Sequence, residues 1–305
     1  MKIAVIINAL SQPNKRSLIV TALRDTLCEH DLDIRLTEYV GHATVLAKLA
    51  VDSRVDVIVV AGGDGTVGEV VNGVIGSSVK LAVIPTGTAN DLANYLGIPG
   101  SITAACSLTG SCHGRQIDLI RINGRYFLTT AGFGIGCETI ARASRFRRVR
   151  FCGVQLAAAV GHRLYPLSYA LSVARKQGWP RRLSIRQNGL DLTSSVLSLT
   201  ISNFPRLGHR FLMAPMALPD DGLLDICLIE GHGRLGASLA VARACRGLNS
   251  DTPQVRLWQT RTVMIESDRP IPCFGDGELL SPTTRFEVRI VPRAITFIVA
   301  GEKKA

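Results

Sequence analysis

A glycine-rich loop with a single acid is the segment best suited to chemistry. It reads GGDGT at residues 62–66, follows the apolar run 55–61 and precedes a helical pattern at 67–74. At the carboxyl end of a buried strand, such a loop offers backbone N–H groups to an anion, and the following helix adds its own. Glycines let the anion approach without a Cβ in the way, and we expect them to supply φ > 0 in the turn. Phosphate is the predicted occupant.

The acid in this loop narrows the choice of phosphate ligand. Gly63, Gly65 and Gly68 also match the GxGxxG dinucleotide pattern, but Asp64 would place a carboxylate among phosphates. That repulsion is costly unless a cation bridges the charges, so the loop favours Mg²⁺-nucleotide chemistry over a dinucleotide cofactor. The alternative is a glycine turn whose Asp only caps the next helix. A second GxGxxG match, at 231–236, follows an antiparallel-type strand and is interpreted as a loop.

A second polar loop, PTGTAND at residues 85–91, ends the next apolar strand. Its side chains should therefore emerge at the same sheet edge as the first loop. Thr88 and Asn90 can hydrogen-bond a nucleotide, and Asp91 can cap the helix that begins at Leu92 or join Asp64 in a carboxylate cluster. Together, the loops predict two walls of one site.

The patterns around these loops predict two domains. Apolar strands alternating with amphipathic helices indicate an α/β domain with a parallel sheet over residues 1–125. From about Asp118, closely spaced strand patterns indicate a mainly antiparallel β-sandwich, assigned to residues 126–305, with a helical insertion at 137–174. This prediction allows the last strand of the chain to return to the first domain.

The composition favours a folded protein with an anionic partner. The chain is 47% hydrophobic and 19% charged, with a net charge of +11 and a pI near 9.6. This charge suits nucleic acid, an acidic membrane surface or a polyphosphate. The eight cysteines lack metal-site spacing and are expected to be reduced thiols. The apolar stretch 151–174 is interrupted by His162 and Arg163, so we expect peripheral rather than spanning membrane contact.

With GDGE at residues 275–278, the three motifs resemble the bacterial soluble lipid kinases of the diacylglycerol kinase type, which are related to sphingosine and ceramide kinases. The resemblance covers nearly the whole chain. It implies that an NAD kinase/diacylglycerol kinase-like first domain binds ATP with Mg²⁺ and that the β-rich domain packs across from it. The active site would then lie in the interdomain cleft.

The resemblance also assigns roles. Asp64, Asp91 and Asp118 would handle the charge of Mg²⁺ and phosphate. Glu278 would accept the proton of the lipid hydroxyl, with Asp276 as the nearby alternative base. The full set of expected nucleotide contacts is Thr37, Gly62, Gly63, Asp64, Gly65, Thr66, Val67, Gly68, Thr88, Asn90, Asp91 and Asp118.

The segment LPDDGLLD at 218–225 resembles the structural Mg²⁺ loop of the same family. Asp221 would supply a carboxylate, and Leu218 and Leu223 their backbone carbonyls, which suits a hard cation. An acidic turn without metal is the alternative. The chain departs from the family in its first loop, where Asn8 is kept but the usual glycine is not, and at Gly68, where Asn is common. His209 and Arg210 also replace expected glycines.

A cluster of arginines precedes an apolar stretch at 151–160 and suits docking on anionic lipid. Its members are Arg142, Arg145, Arg147, Arg148 and Arg150. The alternative is a solvated helix face. Nucleic acid is not expected, because no binding module surrounds the cluster. We expect a cytoplasmic protein at the inner face of the membrane, and a homodimer is left open.

The leading functional hypothesis is transfer of the ATP γ-phosphate to a lipid hydroxyl such as that of diacylglycerol or phosphatidylglycerol. NAD kinase shares the GGDGT loop and is the enzymatic alternative. A non-catalytic lipid- or nucleotide-binding module is the alternative from another class. The four acids Asp64, Asp118, Asp276 and Glu278 argue against that module, because binding alone does not need so many carboxylates around a polyanion.

Overall fold

The computed structural model describes residues 1–9, 15–111, 113–148, 150–151, 154–155, 168, 171–172, 179–187, 189–206, 212–231 and 254–301. Half of the predicted helical insertion and residues 232–236 of the second glycine motif lie outside this set. The chain divides into two compact units, one of Met1–Leu119 with Pro292–Ala305 and the other of Ile120–Val291. The predicted boundary at 125 therefore differs by a few residues from the division of the fold.

The first unit alternates strands and helices, as the patterns predict. Its elements are β1 (Lys2–Ile7), α1 (Arg16–Thr26), β2 (Asp31–Leu36), α2 (His42–Asp52), β3 (Val57–Gly62), α3 (Asp64–Val74), β4 (Lys80–Pro85), α4 (Asp91–Tyr95), α5 (Ile102–Leu108) and β5 (Gly114–Ile122), which leads out of the unit. The end of the last strand of the chain returns to this unit and pairs in parallel with β4 through Thr296 and Phe297.

The four central strands of this unit are parallel and lie in the order β4-β3-β1-β2. The sheet is buried because the strands are continuous apolar runs: every residue of β3 is buried, and residues 3–6 of β1 are fully inaccessible. The helices pack as two pairs, α1 with α5 and α2 with α3. With the right-handed crossovers that are the rule for parallel strands, this strand order puts the two pairs on opposite faces of the sheet.

The strand order contains one reversal. The chain passes from β1 outward to β2 and then returns across β1 to β3 and β4. Such a topological switch point leaves a crevice at the carboxyl ends of the two strands where the direction changes, and open α/β sheets bind ligands there. In this unit the two strands are β1 and β3, so the crevice lies beside the loop at residues 62–66.

The second unit is mainly antiparallel. Its elements are β6 (Arg125–Phe127), β7 (Thr130–Gly134), α6 (Ile135–Arg148), β8 (Arg150–Phe151), β9 (Val154–Gln155), β10 (Arg181–Gln187), β11 (Leu190–Ser202), β12 (Leu224–Glu230), β13 (Val255–Thr260), β14 (Thr262–Ile271), β15 (Phe274–Gly275), β16 (Glu278–Leu279) and β17 (Thr283–Ile298). The end of β17 is the segment that returns to the first unit.

Strand β11 organises this unit because it pairs with three others. Its first half pairs with β10, and its second half lies between β7 and β12. An irregularity between Val196 and Ser198 marks the change of partner, as expected where a strand bends around a shared core. That core contains Phe133 packed edge-on against Phe286, with ring centroids 4.7 Å apart.

None of the helices that the structure describes is long and apolar enough to cross a bilayer.

Candidate active site

At the switch point, hydrogen bonds link the end of β1 to the end of β3 and to the loop that follows β3. The backbone N–H of Asn8 donates to the carbonyl oxygen of Ala61 at 2.9 Å, and its side-chain amide donates to the Thr66 hydroxyl at 2.7 Å. Asn8 is the part of the first loop that this sequence keeps from the family pattern. Its contact with Thr66 joins the end of β1 to the predicted phosphate loop.

The two polar loops lie against each other, backbone to backbone. The N–H of Thr86 donates to the carbonyl of Gly62 at 3.0 Å. A Cβ on Gly63 would lie 2.9 Å from the Cα of Gly87, and one on Gly87 only 2.5 Å from the Cα of Gly63. The predicted approach of the two loops is therefore observed, and it requires glycine on both sides.

The reason for the glycines differs from the one expected. Gly62, Gly63 and Gly65 do not have positive φ, so the prediction that they serve φ > 0 was wrong. Gly63 serves the close approach to Gly87, and a Cβ on Gly62 would lie 2.5 Å from that of Thr66. Gly65 is exposed, and a Cβ there would meet no described residue within 4 Å. This is the position of the loop at which the described residues would let an anion approach.

Helix α3 begins at Asp64 with Gly63 as its N-cap, and no side chain caps it. The first backbone N–H groups of a helix have no acceptor within the helix and carry the positive end of its dipole. They begin at the crevice beside Gly65. This end of α3 can therefore hold a phosphate in the manner predicted.

Asp64 connects the two loops. Its carboxylate accepts the backbone N–H of Leu92 at 3.3 Å, and the N–H groups of Asn90 and Asp91 also hydrogen-bond it. Burial raises the pKa of Asp64, and these hydrogen bonds oppose the rise. The acid thus has a structural function at the start of α4, in addition to the charge-handling role expected of it.

Within the second loop, Asn90 holds the backbone in place. Its side-chain oxygen accepts the N–H of Gly87 at 2.9 Å, and its side-chain nitrogen donates to the Gly87 carbonyl at 3.0 Å. Asn90 itself has a φ of 51°, a left-handed conformation that Asn tolerates. Its amide is therefore engaged with the loop, whereas Thr88 is exposed and accessible to a nucleotide.

Two further predicted contacts lie elsewhere in the first unit. Thr37 follows β2 with its N–H bonded to the Ile7 carbonyl at 3.0 Å, and its buried hydroxyl has no hydrogen-bond partner among the described residues. Asp118 on β5 is fully buried and accepts the backbone N–H of Arg293 at 2.6 Å. Thr37 is thus beside the crevice, and Asp118 supports the left-handed residue Arg293 in β17.

In the second unit, the GDGE turn contains two acids in different environments. Asp276 accepts backbone N–H groups from Leu128, Thr129 and Thr130 and also the Thr129 hydroxyl, at 2.7–3.3 Å. Burial raises the pKa of Asp276, and these hydrogen bonds oppose the rise. Both of its oxygens are engaged in holding the segment between β6 and β7.

Glu278 is more accessible. Its side chain is 42% exposed and pairs with Arg125 at 3.1 Å. A general base has to reach its proton donor within hydrogen-bond distance, and a solvent-accessible carboxylate can do so. Of the two acids, Glu278 is therefore the one that a proton donor can reach.

The predicted cation loop contains a further acid, Asp225, which was not among the predicted ligands. Asp221 accepts the N–H of Leu223 at 2.9 Å, and Leu218 is exposed. Asp225, at the end of the same motif, is buried; Gln259 bonds its Oδ1, and its Oδ2 has no hydrogen-bond partner among the described residues. Burial, with a smaller contribution from the charge of Asp221, raises the pKa of Asp225 to about 6.

A buried, unpaired carboxylate oxygen near a second carboxylate suits a hard cation, so these residues fit Mg²⁺. No cluster of three or more His, Cys, Asp or Glu side chains able to hold a metal occurs in the described part of the chain. The predicted ligand set does not need one, because it relies on two backbone carbonyls.

The arginine cluster is described only in part. Arg142 on α6 is half-buried and lies 3.4 Å from the Ser172 hydroxyl, and Arg145 is exposed. The side chains of Arg147, Arg148 and Arg150 lie outside the described residues, as do His209 and Arg210.

The fold and the paired loops fit the class of α/β proteins that bind a phosphorylated ligand at a switch point, and comparison with known proteins specifies the family. Residues 2–122 match the diacylglycerol kinase catalytic domain, and residues 148–299 match the YegS C-terminal NAD kinase beta sandwich-like domain. The predicted fold class, a parallel α/β domain followed by a β-sandwich, is confirmed.

Curated relatives match along most of their length. A "probable lipid kinase YegS-like" protein of Stenotrophomonas maltophilia is 32% identical over 86% of this chain and 84% of its own. A diacylglycerol kinase of Staphylococcus aureus is 27% identical over 87% of this chain and 81% of its own. A solved structure from Bacillus anthracis superposes with a TM-score of 0.79 at 25% identity, covering 98% of this chain and 97% of that one.

The chain belongs to the diacylglycerol kinase-like lipid kinase family, and it is an enzyme of the kinase class. The resemblance first inferred from three short motifs is thereby confirmed. A kinase of this family implies a nucleotide substrate and a divalent metal.

Proposed function

We propose that this enzyme transfers the γ-phosphoryl group of ATP, as its Mg²⁺ complex, to the hydroxyl of a membrane lipid such as diacylglycerol or phosphatidylglycerol. The observation that carries the proposal is the close pair of loops at the switch point, where Gly63 packs against Gly87 and α3 begins without a side-chain cap. This arrangement offers backbone N–H groups to a polyphosphate and positions it with little side-chain entropy to lose.

The first unit holds the nucleotide in this proposal. N–H groups at the start of α3 bind phosphate oxygens, the exposed Thr88 donates its hydroxyl, and the buried Thr37 hydroxyl gains a partner on the ligand. Asp64 and Asp91 supply the acidic groups at the phosphate loops, and Asp118 acts from farther away through its bond to the Arg293 N–H. Mg²⁺, when bound there, supplies the positive charge that phosphoryl transfer requires.

The second unit supplies the base. Glu278 accepts the proton of the lipid hydroxyl as the oxygen attacks the γ-phosphorus and ADP leaves. Arg125 pairs with the Glu278 carboxylate at 3.1 Å and positions it. Asp276 acts through the turn that it holds, because its oxygens already accept hydrogen bonds from residues 128–130.

A second cation stabilises the loop at 218–223 in this proposal, held by Asp221 and the carbonyls of Leu218 and Leu223. The Oδ2 of Asp225, which has no partner in the described part of the chain, supports such a positive charge nearby. The exposed Arg145 and its neighbours attract the enzyme to an anionic bilayer, where the acceptor resides.

A label-transfer assay tests the proposal. The protein is incubated with γ-labelled ATP and Mg²⁺, and with either NAD or vesicles that contain diacylglycerol and phosphatidylglycerol. Label in the lipid fraction supports the proposal and identifies the acceptor. Label on NAD would make the enzyme an NAD kinase, and nucleotide binding without any transfer would favour a binding module.

A further inference from the structure

An aromatic pair stands at the same sheet edge as the phosphate loops. Tyr39 lies in the turn between β2 and α2, His42 begins α2, and their rings stack with centroids 4.4 Å apart and planes inclined by 6°. Tyr39 is 54% exposed. Because His42 covers one face of the Tyr39 ring, the other face remains accessible to a flat ligand.

This turn is fastened to the helix that follows the phosphate loop. The carboxylate of Glu69 on α3 accepts the N–H of Gly41 at 2.9 Å and that of Ala43 at 3.1 Å. The Thr44 hydroxyl donates to the Glu69 carbonyl at 2.8 Å. Since α3 begins at the phosphate loop, the aromatic pair and the predicted phosphate site belong to one rigid assembly.

Internal bonds also fix the turn itself. The backbone N–H of Glu38 donates to Nδ1 of His42 at 3.1 Å, which orients the ring on which Tyr39 stacks. An exposed tyrosine held in this way loses little freedom on binding a ligand. Preorganised aromatic rings of this kind provide contact area at low entropic cost.

The distance from phosphate to aromatic ring suits a nucleotide. Strands β3, β1 and β2 are consecutive neighbours, so the loops after β3 and β2 are separated by two strand spacings, about 10 Å. Thr37, the first residue after β2, bonds the Ile7 carbonyl at the end of β1, and its buried hydroxyl has no partner among the described residues. A polyphosphate at α3 would extend its ribose past Thr37 and its base toward Tyr39.

We propose that the nucleobase of the donor stacks on the exposed face of Tyr39, with His42 as the ring behind it. This inference rests on the proposed function, because it assigns one further contact to the same nucleotide. Stacking tolerates any base, since every base has a π-face. ATP and GTP should therefore both use Tyr39, and this contact does not select between them.

The test compares a nucleotide with its phosphates alone. Calorimetry measures the Kd of a non-hydrolysable ATP analogue and of inorganic tripolyphosphate, both with Mg²⁺, for the full chain and three variants. Tyr39→Ala should weaken the ATP analogue by about tenfold or more, which is the scale of one lost stacking contact, and leave tripolyphosphate unchanged. Tyr39→Phe keeps the ring and should stay within about twofold of the wild type.

Val40→Ala is the matched control, because Val40 is the adjacent residue of the same turn and is 83% exposed. It should change neither Kd. An unchanged ATP-analogue Kd in Tyr39→Ala would overturn the stacking proposal while leaving ATP as the donor. Equal losses for both probes would also overturn it, because the phosphate loop would then have moved. A wild-type chain that binds tripolyphosphate but no nucleotide would instead refute the proposed donor.

Discussion

Asp64 in the first unit and Asp276 in the second unit have similar surroundings, whereas Glu278 differs from both. Each aspartate accepts backbone N–H groups from a neighbouring loop and holds that loop in place. Glu278 lies two residues beyond Asp276, yet it is 42% exposed and has a half-exposed arginine as its partner. Two acids of one short motif thus differ in use. Asp276 stabilises a neighbouring loop, whereas Glu278 is accessible for reaction.

The largest expected effect separates the proposed catalytic acid, Glu278, from the structural acid, Asp276. Glu278→Gln removes the base and should lower kcat by about 100-fold or more, while the melting temperature stays unchanged because the side chain is partly exposed. Steady-state kinetics on lipid vesicles and thermal unfolding measure the two quantities. Glu287→Gln, an exposed acid on β17, is the control and should leave both unchanged. A variant at position 278 with wild-type kcat would remove Glu278 from the mechanism.

Asp276→Asn should have the opposite profile. The amide nitrogen of Asn cannot accept hydrogen bonds, so at least one N–H group of residues 128–130 loses its partner. Such a loss costs about 1–3 kcal/mol of unfolding free energy. Urea unfolding should show this loss, and Glu278→Gln should not show it. If Asp276→Asn kept full stability and lost turnover, Asp276 would be the reactive acid and the comparison would be reversed.

Much of this arrangement could be predicted from sequence, because it follows from strand patterns. Apolar runs before GGDGT and PTGTAND predict adjacent buried strands, and parallel strands end at one edge. The contacts between the loops could not be predicted, since they depend on backbone distances. The packing of Gly63 on Gly87 and the bond from Leu92 to Asp64 are of this kind.

Two residues, Asp225 and Tyr39, were not predicted as site residues, because their surroundings also depend on the fold. Asp225 belongs to the quoted motif LPDDGLLD, but only the fold shows that its Oδ2 is buried without a partner in the described residues. Tyr39 is one aromatic residue in a polar turn, and no spacing signals that it stacks on His42. Its position after Thr37, an expected nucleotide contact, was the available signal.

A smaller effect tests the loop pair of the first unit. In Gly87→Ala, the new Cβ would lie 2.5 Å from the Cα of Gly63 and 2.7 Å from Oδ1 of Asn90. Backbone cannot yield cheaply, and overpacking of this kind costs about 1–3 kcal/mol. We expect weaker ATP binding by about tenfold, because the loops separate. Gly100→Ala, where a Cβ meets open space, is the control and should bind ATP normally. Normal ATP binding by Gly87→Ala would show that the touching glycines do not define the site.

The smallest expected effect concerns Asp221, whose proposed role is to bind a cation. Asp221→Asn should abolish the rise in melting temperature that Mg²⁺ gives the wild type, a rise of a few degrees if the ion binds only the folded state. Asp268→Asn, another exposed acid of the second unit, should keep that rise. Basal turnover at saturating Mg-ATP should change little, because the loop is distinct from the residues assigned to transfer. If Mg²⁺ raised the melting temperature of Asp221→Asn as much as that of the wild type, the ion would be bound elsewhere, and the loop at 218–225 would be an acidic turn whose buried Asp225 oxygen needs another explanation.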